Sequence, residues 1–181
     1  MGVSGTAAAP SVESLNRLPV ADFIAAMAPL FEGAPQFLER LAAARPFLDE
    51  LELFAHAEMI ALEMPESAQL ELIDAHARIG APPASVSAAS FREQGYDVER
   101  ADAVERADAV ERDALASALE DLNDAYEDRF GFRFVVFVAG RSRAEIVPVL
   151  HARLKGERES EKRTALTSVV AIARDRWRNG A

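Results

Sequence analysis

The sequence contains no cysteine. That excludes a disulfide framework, a thiolate nucleophile and any Cys-ligated zinc or iron–sulfur centre, and it suits a reducing compartment. No stretch approaches the ~20 consecutive apolar residues of a bilayer-spanning helix. The opening "MGVSGTAAAPSVES" has neither the basic flank nor the apolar core of an export signal, and "RWRNGA" carries no peroxisomal tripeptide. A soluble cytoplasmic protein is therefore expected, with no membrane partner. Basic residues are also scarce, 20 Lys and Arg against 30 Asp and Glu, for a formal charge of −10. Such a surface repels phosphate backbones, so no nucleic-acid partner is expected. Histidine occurs three times, at His56, His76 and His151, never in HExxH spacing, and there is no Walker loop, GxGxxG or Gly-x-Ser-x-Gly elbow. No metal site is expected.

What is present is helical periodicity. At 181 residues the chain suits one domain burying roughly 70% of its unfolded surface. Residues 1–12 read as a flexible tail and 13–181 as the folded domain. "LPVADFIAAMAPLF" spaces Leu18, Phe23, Ile24, Met27 and Phe31 at helical intervals, and "LDELELFAHAEMIALEM" does the same with Leu51, Phe54, Ile60 and Leu62. Pro65 suits a following helix start. From Val98 the chain reads "VERADAVERADAVERDA". A six-residue step turns an α-helix through about 600°, a net rotation of about 240°, so the repeated valines cannot form one buried stripe. Asp102 and Asp108 each precede an arginine by four residues, which supports a solvated helix, and residues 98–114 read as a surface connection. Leu115, Leu119, Leu122 and Tyr126 then share a face. "RFVVFVAG" could be a short strand or a buried extended connection. "SRAEIVPVLHARLKG" opens on a Ser142/Glu145 capping-box signature and ends at Gly156. Seven or eight helices and at most one strand predict an all-α, single-domain multi-helix bundle.

Three local patterns could carry chemistry, and each also has a structural explanation. His76 lies three residues from both Ile73 and Ile79, a helical spacing that favours a hydrogen-bonded core histidine. In "SFREQ", Ser90 and Glu93 form a capping box as readily as an acid–base element. Arg176 is favoured by the dipole of the last helical turn, and equally suits a bidentate clamp on a carboxylate or ureido group.

Taken in order, "LNRLPVADF", "FEGAPQFLERLAAARPF", "DAHARIG", "SFREQ", "LNDAYEDRFGFRFVV" and "RLKGERESEKRTALTSVVAIARDRW" resemble the 2-oxo-4-hydroxy-4-carboxy-5-ureidoimidazoline (OHCU) decarboxylases of urate breakdown. The resemblance spans nearly the whole chain. It implies an all-α enzyme with neither metal nor organic cofactor that converts OHCU, its small-molecule substrate, to (S)-allantoin. The family's catalytic histidine, in His-Pro-x-[Leu/Ile], is matched by His76 in "HARI", with Ala77 at the proline's place among the substrate-binding positions. Its glutamate, in Ser-x-x-Glu-Gln, is matched by Glu93. Ser90 and Gln94 match the polar substrate contacts of that motif, and Phe91 and Arg92 its backbone. Phe134, Val135, Val136, Phe137 and Val138 match the main-chain contact to the planar ring, and Arg176 the arginine of the terminal Ile-x-x-x-Arg. A homodimer is expected.

The residue types fit the implied chemistry. Loss of CO₂ leaves charge on a ring carbon conjugated with C=O or C=N groups, which needs positioned donors and a proton carrier but no electron-sink cofactor. Two rivals share the pattern. One is a non-catalytic all-α interaction module that keeps the framework. The other is a paralogue decarboxylating a related ureido or imidazoline acid.

Overall fold

A computed structural model describes residues 11–81, 87, 90, 94 and 106–180, with side chains from residue 113 onward in the last segment. Among the described residues there are eight α-helices, one 3₁₀ turn and no strand, as predicted for an all-α fold. The chain divides into two compact units, Met1–Ala75 with Leu166–Ala181, and His76–Ala165.

In the first unit α1 (Val12–Arg17) begins at Ser11, whose hydroxyl accepts from Ser14 N–H at 3.2 Å. The helix expected to include Leu18 starts later, as α2 (Val20–Met27). Pro19 disfavours helical backbone at the residue before it, and Leu18 is accordingly extended (φ −67°, ψ 144°). A 3₁₀ turn, Ala28–Leu30, leads to α3 (Pro35–Ala43), followed by α4 (Glu50–Glu63) and α5 (Glu66–Asp74). The buried face of α4 is not the predicted one. Leu53, Phe54, Ala57 and Ala61 point inward, whereas Leu51 is 65% exposed. Small alanines let this helix approach its neighbours closely, which a count of large side chains cannot anticipate.

Polar side chains close the helix ends of this unit. Glu71 of α5 accepts from Gln36 N–H at 3.0 Å and from the Gln36 amide at 2.6 Å. A carboxylate is thereby set at the start of α3, where the helix has free N–H groups and Ala34 offers no side-chain cap. Gln69 donates to the carbonyls of Ala61 and Leu62 at the end of α4.

The second unit contains α6 (Arg106–Phe130), α7 (Arg143–Arg153) and the first turns of α8 (Arg158–Asn179). The repeat from Arg106 onward has helical backbone at the start of α6, and residues 95–105 lie outside the described part. Leu119, Leu122 and Tyr126 are buried, as expected for their shared face. Tyr126 packs against Phe130, Phe132 and Phe134, with ring centroids at 4.6, 6.0 and 5.3 Å. The predicted capping box is present at the start of α7, where Ser142 Oγ accepts from Glu145 N–H and the Glu145 carboxylate from Ser142 N–H.

Candidate active site

The helix carrying "ELIDAHARIG" stops at Asp74, two residues before His76. His76 therefore does not share a helical face with Ile79. In a continued helix the His76 carbonyl would accept from Gly80 N–H. Instead Gly80 N–H donates to Gln94 Oε1 at 2.8 Å, and the His76 carbonyl accepts from Arg133 Nη1 at 2.9 Å. Gln94 Nε2 also donates to the Arg78 carbonyl at 3.2 Å, and Asn123 Nδ2 of α6 to that of Ile79 at 3.0 Å. The backbone from 76 to 80 is thus held by side chains from three other places in the same unit. The Arg78 guanidinium grips Glu127 bidentately, at 2.7 and 2.6 Å, and meets Asp124 at 2.8 Å. Gly80 completes the loop: its φ is +79°, and a Cβ there would sit 2.9 Å from Leu119 Cδ1.

His76 is 3% exposed and Gln94 6%. The capping reading of "SFREQ" changes in the structure. Ser90 N–H donates to Ser87 Oγ at 3.1 Å, so Ser87 supplies the N-terminal cap, while Ser90 is itself helical and its carbonyl accepts from Gln94 N–H at 3.0 Å. Ser90 is buried. Glu93, Phe91 and Arg92 lie outside the described residues.

"RFVVF" is neither strand nor helix. Phe134, Val135 and Val138 are buried, Val136 and Phe137 half-buried. The carbonyls are held by arginines: Val135 O accepts from Arg153 Nη1 at 2.7 Å, Phe137 O from Arg141 Nη2 at 2.6 Å and Val138 O from Arg141 Nε at 2.9 Å. Arg153 is fixed in turn. Its Nε meets Glu161 Oε2 at 2.6 Å, Tyr126 donates to the same oxygen at 2.8 Å, and its guanidinium carbon lies 4.7 Å from the Phe134 ring centroid. Burial, the largest influence, and the Glu161 carboxylate push the Tyr126 phenol well above its ordinary range despite the opposing Arg153 charge. The N–H groups from Phe134 to Val138, by contrast, donate to no acceptor among the described residues.

Arg176 belongs to the first unit and is 2% exposed. Its Nη1 donates to the carbonyls of Pro29 and Leu30 at 3.1 and 3.2 Å, and its Nη2 pairs with Glu32 at 2.8 Å. Within the second unit the structure thus ties the His76 loop to Gln94 directly and to the 134–138 segment through Arg133. Sequence reasoning missed Arg78, Asn123, Arg133 and Arg153. Only Arg133, a cation set among Phe132, Phe134 and Val135, stood out from its neighbours. A cavity of about 220 Å³ lies beside Ile79–Ala81 and Asn123, and His76 does not line it.

The family model described as OHCU decarboxylase matches residues 16–178. The chain belongs to the OHCU decarboxylase family. Among its relatives, the uric acid degradation bifunctional protein PucL of Bacillus subtilis (strain 168) is 32% identical over 92% of this chain. The match spans only 32% of that protein, so the chain covers about a third of its length. The 2-oxo-4-hydroxy-4-carboxy-5-ureidoimidazoline decarboxylase of Haloferax volcanii is 28% identical over 90% of this chain and 91% of its own. In fold, an OHCU decarboxylase crystallised in the presence of (S)-allantoin superposes with TM-score 0.61 at 21% identity, covering 84% of this chain and 94% of that one. An (S)-allantoin synthase gives 0.63 at 21% identity over 94% and 54%. These two likenesses bear on the architecture alone.

Proposed function

We propose that this member of the OHCU decarboxylase family decarboxylates OHCU to (S)-allantoin in urate degradation, using His76 as proton carrier. The supporting observation is the convergence, inside one unit, of a buried histidine on a pinned loop with a segment whose main-chain donors have no acceptor among the described residues. Three of the five residues 134–138 are buried, and an N–H without an acceptor is costly wherever water is excluded. A planar ureido ring, rich in carbonyl oxygens, is the kind of ligand that satisfies them.

In this reading the carbon–carboxyl bond breaks and its electron pair enters the conjugated ring system. The ring carbon and a conjugated nitrogen each take up a proton while the substrate hydroxyl releases one, a net uptake of one proton from solvent. His76 makes that exchange from one face, which sets the S configuration, and Glu93 orients it. Ser90 and Gln94 contact the substrate's polar groups, Ala77 and the backbone of Phe91 and Arg92 line it, and Phe134, Val135, Val136, Phe137 and Val138 present main chain to the ring. Arg176 is the cationic anchor. Gln94 has a second task, since both ends of its amide already hold the 78–80 backbone. The working form is a cytoplasmic homodimer. Leu48 and Leu51, exposed where α4 begins, are apolar surface of the kind a subunit contact covers. Sedimentation of the purified protein checks the dimer.

The reaction is tested on OHCU made freshly from urate with a urate oxidase and a hydroxyisourate hydrolase, following the circular dichroism of allantoin. One enantiomer should appear faster than the uncatalysed background, and His76→Ala should remove roughly 10²–10⁴ of that acceleration. A racemic product at the background rate would overturn the reading in favour of an interaction module. Turnover of a related ureido acid but not OHCU would favour the paralogue.

A further inference from the structure

We infer that Arg133 is a positioning residue for His76, holding the peptide between His76 and Ala77 that an alanine at 77 leaves free to turn. The inference rests on His76 being the proton carrier. The Ala75 amide still donates to Glu71 O at 3.0 Å, but the regular helix has ended at Asp74 and the amide of Ala77 bonds to no described residue. A change in ψ of His76 that φ of Ala77 does not compensate turns His76, its imidazole included, relative to the pinned loop. Arg133 stops that rotation by donating from Nη1 to the His76 carbonyl at 2.9 Å.

Arg133 immediately precedes Phe134, so the residue that sets the histidine's backbone is continuous with the segment proposed to carry the substrate ring. A displacement of either is transmitted to the other. The remaining clamps act farther along the loop, at the Arg78 carbonyl, the Ile79 carbonyl and the Gly80 amide. Arg133 acts at the His76 carbonyl itself. A proline at 77 would impose the same restraint covalently, by fixing its own φ and limiting His76 to extended backbone. The hydrogen bond and the ring should therefore substitute for one another.

The experiment compares wild type, Arg133→Met, Arg133→Lys, Ala77→Pro and the double variant Arg133→Met/Ala77→Pro. Each is assayed on fresh OHCU and by NMR of ¹⁵N-labelled imidazoles, with His76 assigned from His76→Gln. Arg133→Met should lower kcat about tenfold or more with a smaller change in KM, since a misplaced group costs rate before binding. It should also broaden or shift the His76 signals while those of His56 and His151 stay put. Arg133→Lys should retain part of the rate. Ala77→Pro in the Arg133→Met background should recover most of the loss and the sharp His76 signals. Arg133→Met with unmoved His76 signals would overturn the inference, whatever the assay gives. So would a folded Arg133→Met protein with kcat within about twofold of wild type, or a loss that the proline does not recover. If wild type produces no enantiomeric excess, the functional reading fails, and the NMR comparison still decides the role of Arg133.

Discussion

The loop at 76–80 and the segment at 134–138 both leave regular structure, yet they treat their backbones differently. In the loop three carbonyls and the Gly80 amide are engaged: His76 O by Arg133, Arg78 O and Gly80 N–H by Gln94, Ile79 O by Asn123. In the segment only carbonyls are held, by Arg153 and Arg141, and the amides keep no described acceptor. The loop is built to stay still and present one side chain. The segment is fixed through its carbonyls alone. Arginine suits the second arrangement because it supplies several donors and no acceptor, so it can anchor carbonyls without consuming N–H groups.

Breaking the anchor of the segment should have the largest effect. Arg153→Met leaves the buried Glu161 carboxylate without its cation and Val135 O without its donor, and should cost about 3–5 kcal/mol. Urea denaturation would read this as a lower midpoint at unchanged slope. Equal stability in the variant would mean the segment is held by packing alone. Next comes the loop. Gly80→Ala combines left-handed backbone with a Cβ 2.9 Å from Leu119 Cδ1, for about 2–4 kcal/mol by the same measurement. Gln94 and Asn123 should lose their grip on the loop with it, so allantoin formation should fall further than stability alone explains.

The smallest effect sharpens the comparison from outside both regions. Burial would raise the Glu50 carboxyl, but hydrogen bonds from Arg178 and Arg174 outweigh it and hold the group below its ordinary 4.5. A depressed folded-state value means the stabilisation is full above the ordinary value and is lost as pH falls through the lower one. These partners are partly exposed, so the loss should be only about 0.5 kcal/mol. The midpoint difference between wild type and Glu50→Gln should shrink between pH 6 and pH 3, with neither the loop nor the segment affected.

Much of this organisation was legible in the sequence. The helical repeat of apolar residues around Leu119, Leu122 and Tyr126 and the Ser142/Glu145 box are local signals, and local signals survive folding. The buried face of α4 was misread because it is built on Ala57 and Ala61, which weigh little in any hydrophobic count. The end of α5 at Asp74 was missed for another reason. The groups that stop it, Arg133 and Gln94, lie 57 and 16 residues from their carbonyl partners in the loop. Ser90 fits a cap by pattern alone, because Ser and Glu three apart make a capping box. Ser87, equally well spaced from Ser90, takes the position instead.

Arg176 reaches back 147 residues to the Pro29 carbonyl, and that single reach orders events during synthesis. Residues 76–165 are contiguous and are all synthesised before the final helix is complete. The first unit must wait for Arg176, so its opening helices spend most of translation without the cation that fixes the turn after α2. A chaperone or nascent-chain contact would find its opportunity in that interval.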